Sequence, residues 1–453
     1  MAKQGNLSST RLACRLLALV AVVLFAGVYA RAQQVQAPPS PASPQGANDG
    51  SYIVTFRAGT SQADRAASVR RAGAILRFNY RIVDAVAITG NINALAALQR
   101  EITVLEIIPD RPVRAFQSPN ARPGGGGSGG GTGEVVPEGV KRVGVPTSTS
   151  GAGIGVAIVD TGMDLVHADL AEGSASFSAF GDSCQDGNGH GTHVAGIVAA
   201  LKDNGTGVVG VAPGATPYCV RVLDNAGSGS DATVMAGLDW VFANRTLVTP
   251  NIRVVNMSLG RSGSLNDNSA LRGSVQALYN AGVAVVVAAG NDSSLEVSDQ
   301  VPATYPEVIA VASSTAIAGS NAGCRFFPGT IPADTASYFT TDGEFDLATG
   351  IGVTISAPGA DKEDVSKSCF AKSVGILSLK LGGGTTRMSG TSMASPHVAG
   401  IVARIMQTKG LSDVEAIRDE IWLTADREGV APLDSPTGGY SFDGEREGLA
   451  QAP

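Results

Sequence analysis

The chain has 453 residues, 43% of them hydrophobic and 16% charged, enough for one large core with smaller modules attached. A formal net charge of -7 and a pI near 5.2 give no basic footprint for a phosphate backbone, so no nucleic-acid partner is expected. Only four histidines are present, which leaves few candidates for acid–base chemistry near neutral pH.

Residues 1–32 begin with Lys3, Arg11 and Arg15, continue as the apolar run Leu16 to Ala30 and close on Ala30-Arg31-Ala32. A charged region, a hydrophobic region and a small-residue cleavage site in that order predict an export signal and a secreted or extracytoplasmic protein. The competing reading is a membrane anchor, but the run is shorter than the roughly 20 residues a spanning helix needs, and a Pro-rich stretch follows; no stable membrane anchor is expected. Cys14 lies in this leader. Its removal leaves Cys184, Cys219, Cys324 and Cys369, an even number suited to an oxidising compartment. Three pairings are possible, and sequence order favours Cys184 with Cys219 and Cys324 with Cys369. No Cys-x-x-Cys occurs, which argues against a zinc site.

Residues 33–49, rich in Pro, Gln, Ala and Ser, bury too little apolar surface to offset chain entropy and read as a spacer. Residues 50–116 then predict a β-α-β-β-α-β module: strand Ser51 to Phe56, capped helix Ser61 to Ala72, strands Ile75 to Tyr80 and Ala85 to Thr89, helix Ala94 to Arg100 and strand Val104 to Ile108. That order is ferredoxin-like α+β, and one reading is an independent small binding domain. The glycine-rich linker 117–133 contains Pro123 to Gly133, a flexible tether and an accessible place for cleavage. Its Gly126-Gly-Ser128-Gly-Gly matches Gly-x-Ser-x-Gly only by composition, since no strand precedes it and no helix follows.

Residues 134–444 alternate strand-like and helix-like runs, with 445–453 as a tail. Val156 to Val159, Tyr218 to Leu223, Val254 to Leu259 and Val283 to Ala288 are short and continuously apolar, as strands buried on both faces are. Between them His190 to Leu201, Asp231 to Asn244 and Asn268 to Asn280 read as helices. This pattern predicts an α/β domain with a doubly wound, mostly parallel sheet, whose site lies beyond the carboxyl ends of the strands. Asp160 and Asn291 fall there, while His190 and Ser392 fall where helix-like runs begin. Residues 316–350 and 360–387 read as longer and irregular.

Val-Ala-Ile-Val-Asp160-Thr-Gly, Gly-His190-Gly-Thr-His-Val-Ala-Gly and Gly390-Thr-Ser392-Met-Ala-Ser-Pro-His-Val-Ala order a carboxylate, an imidazole and a hydroxyl along the chain. A serine hydroxyl needs an adjacent base, and the base a group that fixes its tautomer. Together the three blocks resemble the subtilisin family of serine proteases. The resemblance implies a serine endopeptidase in which Ser392 attacks the peptide carbonyl, His190 carries the proton and Asp160 orients the imidazole, with Gly390, Thr391 and Ala394 small enough to leave the hydroxyl accessible. It further implies that Asn291 and the Ser392 N–H bind the oxyanion. Gly227, Ser228, Gly229 and Ser258, Leu259, Gly260 would be edge segments for extended substrates, with Ala288, Ala289 and Gly290 as pocket walls. His193 and His397 would be core residues.

The resemblance also implies that residues 50–116 are an inhibitor-type propeptide, an intramolecular inhibitor removed in or near the tether. It places a structural calcium at Asp169 with Asp203, Asn204 and Thr206 of the loop Asp203 to Gly207, and a cis peptide at Pro302. No cofactor is required for the chemistry, the partners are protein or peptide substrates, and a monomer is expected. Competing readings are a binding protein on an inactive scaffold, which predicts loss of one of Asp160, His190, Ser392 or Asn291, an esterase of another fold, and a narrow-specificity processing protease with the same chemistry.

Overall fold

The structure, a computed structural model, describes residues 49–116, 133–327, 329–427 and 447–453. The export signal, nearly all of the spacer and the tether up to Thr132 lie outside the described residues, as do 428–446.

Residues 50–109 form β1 (Gly50–Phe56), α1 (Gln62–Arg71), β2 (Ile75–Asn79), β3 (Ala85–Gly90), α2 (Ile92–Leu98) and β4 (Val104–Pro109), the order expected. The sheet runs β2-β3-β1-β4, with antiparallel pairing throughout. Ser61 and Asn91 start the helices by accepting backbone N–H bonds from Asp64 and from Asn93 and Ala94, the usual role of short polar side chains at an N-terminus. The sheet has two buried faces, as the period of two allows. Val54, Val86 and Ile88 pack under the module's own helices with Val69 and Leu98. Ile53, Ala85, Ala87 and Ile108 join the core of the larger domain.

That domain is built on a seven-stranded sheet comprising β6 (Gly155–Asp160), β7 (Phe177–Ser178), β8 (Thr216–Arg221), β10 (Ile252–Met257), β12 (Ala284–Ala288), β14 (Val308–Thr315) and β15 (Ile355–Ala360). Its order is β15-β14-β12-β10-β6-β8-β7, and every pairing is parallel. Side chains alternate between two cores. Val156, Ile158, Val254 and Val286 face the core shared with α4 (His190–Ala199), α7 (Thr391–Lys409) and α8 (Val414–Thr424). Ala157, Val159, Val255 and Val287 face the core shared with α5 (Asp231–Asn244) and α6 (Ser269–Asn280). A short helix, α3 (Glu138–Val143), precedes β6. The α/β doubly wound fold is therefore present, and the strand order reverses between β6 and β10, where such sheets open a crevice.

One expected strand divides. Val254 to Leu259 was read as continuous, but β10 ends at Met257, and Leu259 starts β11 (Leu259–Ser262) in another sheet. That second sheet has the order β13-β11-β5-β9 and also contains β5 (Pro112–Ala115), β9 (Ser228–Ser230) and β13 (Gln300–Val301). The irregular segment 360–387 carries two hairpins, β16 (Lys362–Val365) with β17 (Ala371–Val374) and β18 (Ile376–Leu379) with β19 (Thr385–Met388). Disulfides join Cys184 to Cys219 and Cys324 to Cys369, and the Val301–Pro302 peptide is cis. Among the described residues no helix is long and apolar enough to cross a membrane.

Candidate active site

Asp160 ends β6 and is fully buried. Its Oδ1 lies 2.7 Å from His190 Nδ1 and accepts the Thr161 N–H at 2.7 Å. His190 is the first residue of α4, placed there by Gly189, whose φ of 102° is in the region glycine tolerates without strain. One residue that sequence reasoning missed ties these segments together. Asp186 Oδ1 accepts N–H bonds from Asn188 and Gly189, both at 2.9 Å, and the Thr161 hydroxyl at 3.0 Å. Its Oδ2 accepts the Thr192 N–H at 3.0 Å and hydroxyl at 2.7 Å. A buried carboxylate at a helix N-terminus satisfies orphan donors and meets the positive end of the dipole. Its place four residues before His190 was the available signal.

Of the remaining histidines, His193 bonds Ile376 O through Nε2 and His397 bonds Met393 O through Nδ1. Burial lowers His193 to about 3, helped by the nearby His190, and lowers His397 to about 4. Both stay neutral near pH 7 and sit in the core, as expected.

Ser392 is the second residue of α7. Its Oγ donates to Ser258 O at 3.0 Å rather than to His190, whose Nε2 has no hydrogen-bond partner among the described residues. Ser392 is also fully buried, so the accessible hydroxyl expected from its small neighbours is covered here. The start of α7 is held by a polar chain. The Ser258 hydroxyl donates to Ser392 O at 2.9 Å and accepts from Asn256 Nδ2 at 3.0 Å, and Asn256 Oδ1 accepts the Ser395 hydroxyl at 2.8 Å. Each of these buried groups is satisfied by another at the β10 end, which fixes their relative positions.

Asn291 follows β12. Its Oδ1 accepts both the N–H and the hydroxyl of Thr391 at 2.9 Å. Its Nδ2 is buried and has no partner among the described residues. A Cβ added at Gly390 would lie 2.9 Å from Nδ2, so the missing side chain leaves room for an oxygen there. Thr341, from a segment read as irregular, supports the loop: its N–H bonds Gly290 O at 2.9 Å, and its hydroxyl bonds Asp292 O at 3.0 Å.

The edge segments take up an extended peptide, and the peptide is the chain's own. β5 pairs antiparallel with Ser228–Ser230 on one side and with Leu259 and Gly260 on the other. Gly227 makes the turn into β9 at φ 72°, and its carbonyl accepts the Ala115 N–H at 3.0 Å. A cleft of about 400 Å³ beside Phe116 is lined by Gly260, Arg261, Ser262, Asn291, Asp292 and Gln300. Gly290 backs Gln300, whose Cγ would be 3.2 Å from a Cβ at position 290. Ala288 and Ala289 lie buried behind. β11 is anchored by Arg261, which forms paired bonds to Asp231 at 2.9 and 2.7 Å and to Asp267 at 2.8 and 3.0 Å. Burial opposes the charge on Arg261, but these carboxylates outweigh it and raise its pKa.

The expected calcium ligands converge only in part. Asp169 is buried, with Oδ1 accepting Asn204 Nδ2 at 2.6 Å and Oδ2 accepting the Val208 N–H at 2.9 Å. Glu134, absent from the expected set, accepts the Asn204 N–H at 3.1 Å. Asp203 instead pairs with Lys202 at 2.7 Å on the surface, and Thr206 takes part through its N–H, which bonds Asn204 Oδ1. Among the described residues no cluster of three or more His, Cys, Asp or Glu is placed to hold a metal.

The Subtilase family profile matches residues 151–439. Subtilisin amylosacchariticus of Bacillus subtilis subsp. amylosacchariticus is 32% identical over 386 residues, covering 83% of this chain and 84% of the relative. The thermostable alkaline protease of Halalkalibacterium halodurans is 39% identical over 276 residues, 61% of this chain and 63% of the relative. Among solved structures, fervidolysin from Fervidobacterium pennivorans, described as a keratinolytic enzyme related to subtilisin, superposes with a TM-score of 0.63 at 23% identity. That match covers 90% of this chain and 61% of that one. A family match over more than half of the residues, joined to relatives above 30% identity across the same fold, makes this chain a member of the subtilase family and a subtilisin-like serine endopeptidase.

Proposed function

We propose that Asp160, His190 and Ser392 form the catalytic triad of a secreted endopeptidase that is made as a propeptide-inhibited precursor. The observation that carries this reading is the buried contact of 2.7 Å between Asp160 Oδ1 and His190 Nδ1. It leaves Nε2 as the only ring nitrogen free to act on a hydroxyl, the division of labour that a triad requires. Ser392 Oγ turns from Ser258 O to His190 Nε2 through another staggered rotamer. It gives up its proton there and attacks the substrate carbonyl; the imidazolium, stabilised by Asp160, then protonates the leaving amine. The unpartnered Asn291 Nδ2 and the Ser392 N–H at the start of α7 receive the oxyanion, so they bind the transition state more tightly than the substrate.

Residues 50–116 act in this reading as the inhibitor, since β5 fills the groove that a substrate strand would use. The apolar leader and the two disulfides support export. A structural calcium at Asp169 and the loop Asp203 to Gly207, with Asp203, Asn204 and Thr206 as the expected partners, would act on stability alone. Melting in calcium against chelator is expected to raise Tm by several degrees, and equal Tm values would contradict this site.

The triad is tested by digesting a peptide library with purified enzyme and with Ser392→Ala. Turnover is expected to fall by about 10⁶-fold, the loss known for the corresponding change in a subtilisin. Equal cleavage by both proteins would defeat the proposal.

A further inference from the structure

We propose that Thr341 is a positioning residue for the reaction: it fixes the loop Gly290 to Asp292 so that Asn291 Nδ2 is held where charge develops on the substrate oxygen. The inference rests on the role proposed above for Asn291 and adds the group that aims it. Such a donor lowers the barrier only if it already stands about 3 Å from the place the charge will take. Sheet pairing holds the chain as far as Ala289, whose N–H bonds Val311 O at 2.9 Å. The next three residues leave the sheet and need another support.

Thr341 supplies it on both sides of Asn291. Its N–H bonds Gly290 O at 2.9 Å, its hydroxyl donates to Asp292 O at 3.0 Å, and the same oxygen accepts the Asp292 N–H at 3.2 Å. One fully buried residue thus closes the backbone before and after Asn291 into a ring. The approach is close, since a Cβ at Gly290 would lie 2.6 Å from Thr341 Oγ, and Gly290 has a φ of 126°. Glycine is required there by the backbone and by the contact alike. Asn291 Oδ1 is held separately by the N–H and hydroxyl of Thr391 at the start of α7. The amide is therefore tied through its backbone to Thr341 and through its oxygen to the helix that carries Ser392, and the two ties together set the place of Nδ2.

Thr341 is itself braced. Thr340 Oγ donates to Thr341 O at 3.1 Å and accepts the Ser313 N–H of β14 at 2.9 Å. The Ser337 N–H bonds Ser313 O at 2.8 Å, and the Val297 N–H bonds Asp342 O at 2.7 Å. Ser313, Ser337 and Thr340 are buried as well, so these bonds form away from water, where an unmade bond is costly. The segment between β14 and β15 thereby carries the stiffness of the sheet to Asn291.

The test compares wild type with Thr341→Val and Thr341→Ala, which lose the hydroxyl, with Thr341→Ser, which keeps it, with Asn291→Leu, and with Thr341→Val and Asn291→Leu combined. All cut one peptide substrate, and turnover is counted per active site by fluorophosphonate titration run to completion, so a variant that folds poorly is read on its folded fraction. Expected results are a kcat at least ~10-fold lower in Thr341→Val and Thr341→Ala with KM within ~3-fold, because a displaced donor costs transition-state rather than substrate binding. Thr341→Ser is expected to keep kcat within ~3-fold of wild type, and in the Asn291→Leu background the valine change is expected to cost under ~2-fold, because no donor is left to aim. Wild-type kcat in Thr341→Val and Thr341→Ala, or the full loss repeated in the Asn291→Leu background, would overturn this inference and leave Asn291 its role. Full turnover in Asn291→Leu would overturn both.

Discussion

Asn291 Nδ2 is a buried donor with no partner among the described residues, and an unmade hydrogen bond in a low-dielectric site costs about 1–3 kcal/mol. The cost is tolerable if the bond is completed when charge develops on the substrate oxygen. Asn291→Leu is therefore expected to lower kcat by about 10²- to 10³-fold, the size known for the corresponding subtilisin residue, with KM changed less than ~3-fold. A loss carried by KM instead would make Asn291 a ground-state contact. Asp160, His190 and Ser392 were singled out in the sequence because their three blocks resemble the subtilisin family, and Asn291 because that resemblance assigns the end of its apolar strand to the oxyanion. Asp186 and Thr341 were not, because their work is done by hydrogen bonds to segments distant in sequence, which no local pattern encodes.

At the scale of elements, apolar periodicity identified β6, β8 and β12 and the helices α4 to α6, because burial on both faces of a sheet leaves a continuous apolar run. It failed at Ser258, where the run continues into Leu259 but the chain changes sheets to present the Ser258 carbonyl. β5 was also unread: Pro112 and Arg114 weaken its own signal, and it is a strand because β9 and β11 pair with it. The hairpin β16–β17 was missed as well and carries an unusual group. Glu363 is 2% exposed and accepts the Tyr338 N–H at 3.0 Å; burial pushes its pKa up to about 8.

A carboxyl whose folded pKa exceeds its unfolded value contributes stability that is complete below about pH 4.5 and is lost as pH rises through about 8. Glu363→Gln keeps an acceptor for Tyr338 and removes this titration, so its Tm advantage over wild type is expected to be several degrees greater at pH 9 than at pH 5. An advantage independent of pH would contradict a neutral, buried Glu363.

Across the whole molecule, the described residues form one compact unit, in which the small module is joined to the larger domain by polar as well as apolar contacts. Asp239 accepts the N–H groups of Arg81 and Ile82 at 2.5 and 2.7 Å. Asp110 accepts the Ala232 N–H at 2.9 Å at the start of α5, and Arg111 pairs with Asp267 at 2.5 Å. These contacts, with Ile53 and Ile108 in the shared core, seat the module on α5 and α6 and aim β5 at Ser392. The same placement accounts for the buried Ser392 hydroxyl, since Phe116 follows β5 and its N–H bonds Ser258 O, the carbonyl that also accepts from Ser392 Oγ. In the proposed triad Ser392 becomes uniquely nucleophilic through His190. Treating the processed enzyme with a fluorophosphonate and mapping the adduct by mass spectrometry tests it most directly. A single adduct on Ser392 that disappears in His190→Ala is expected, whereas inactivation with Ser392 unmodified, or an adduct on another residue, would contradict the triad.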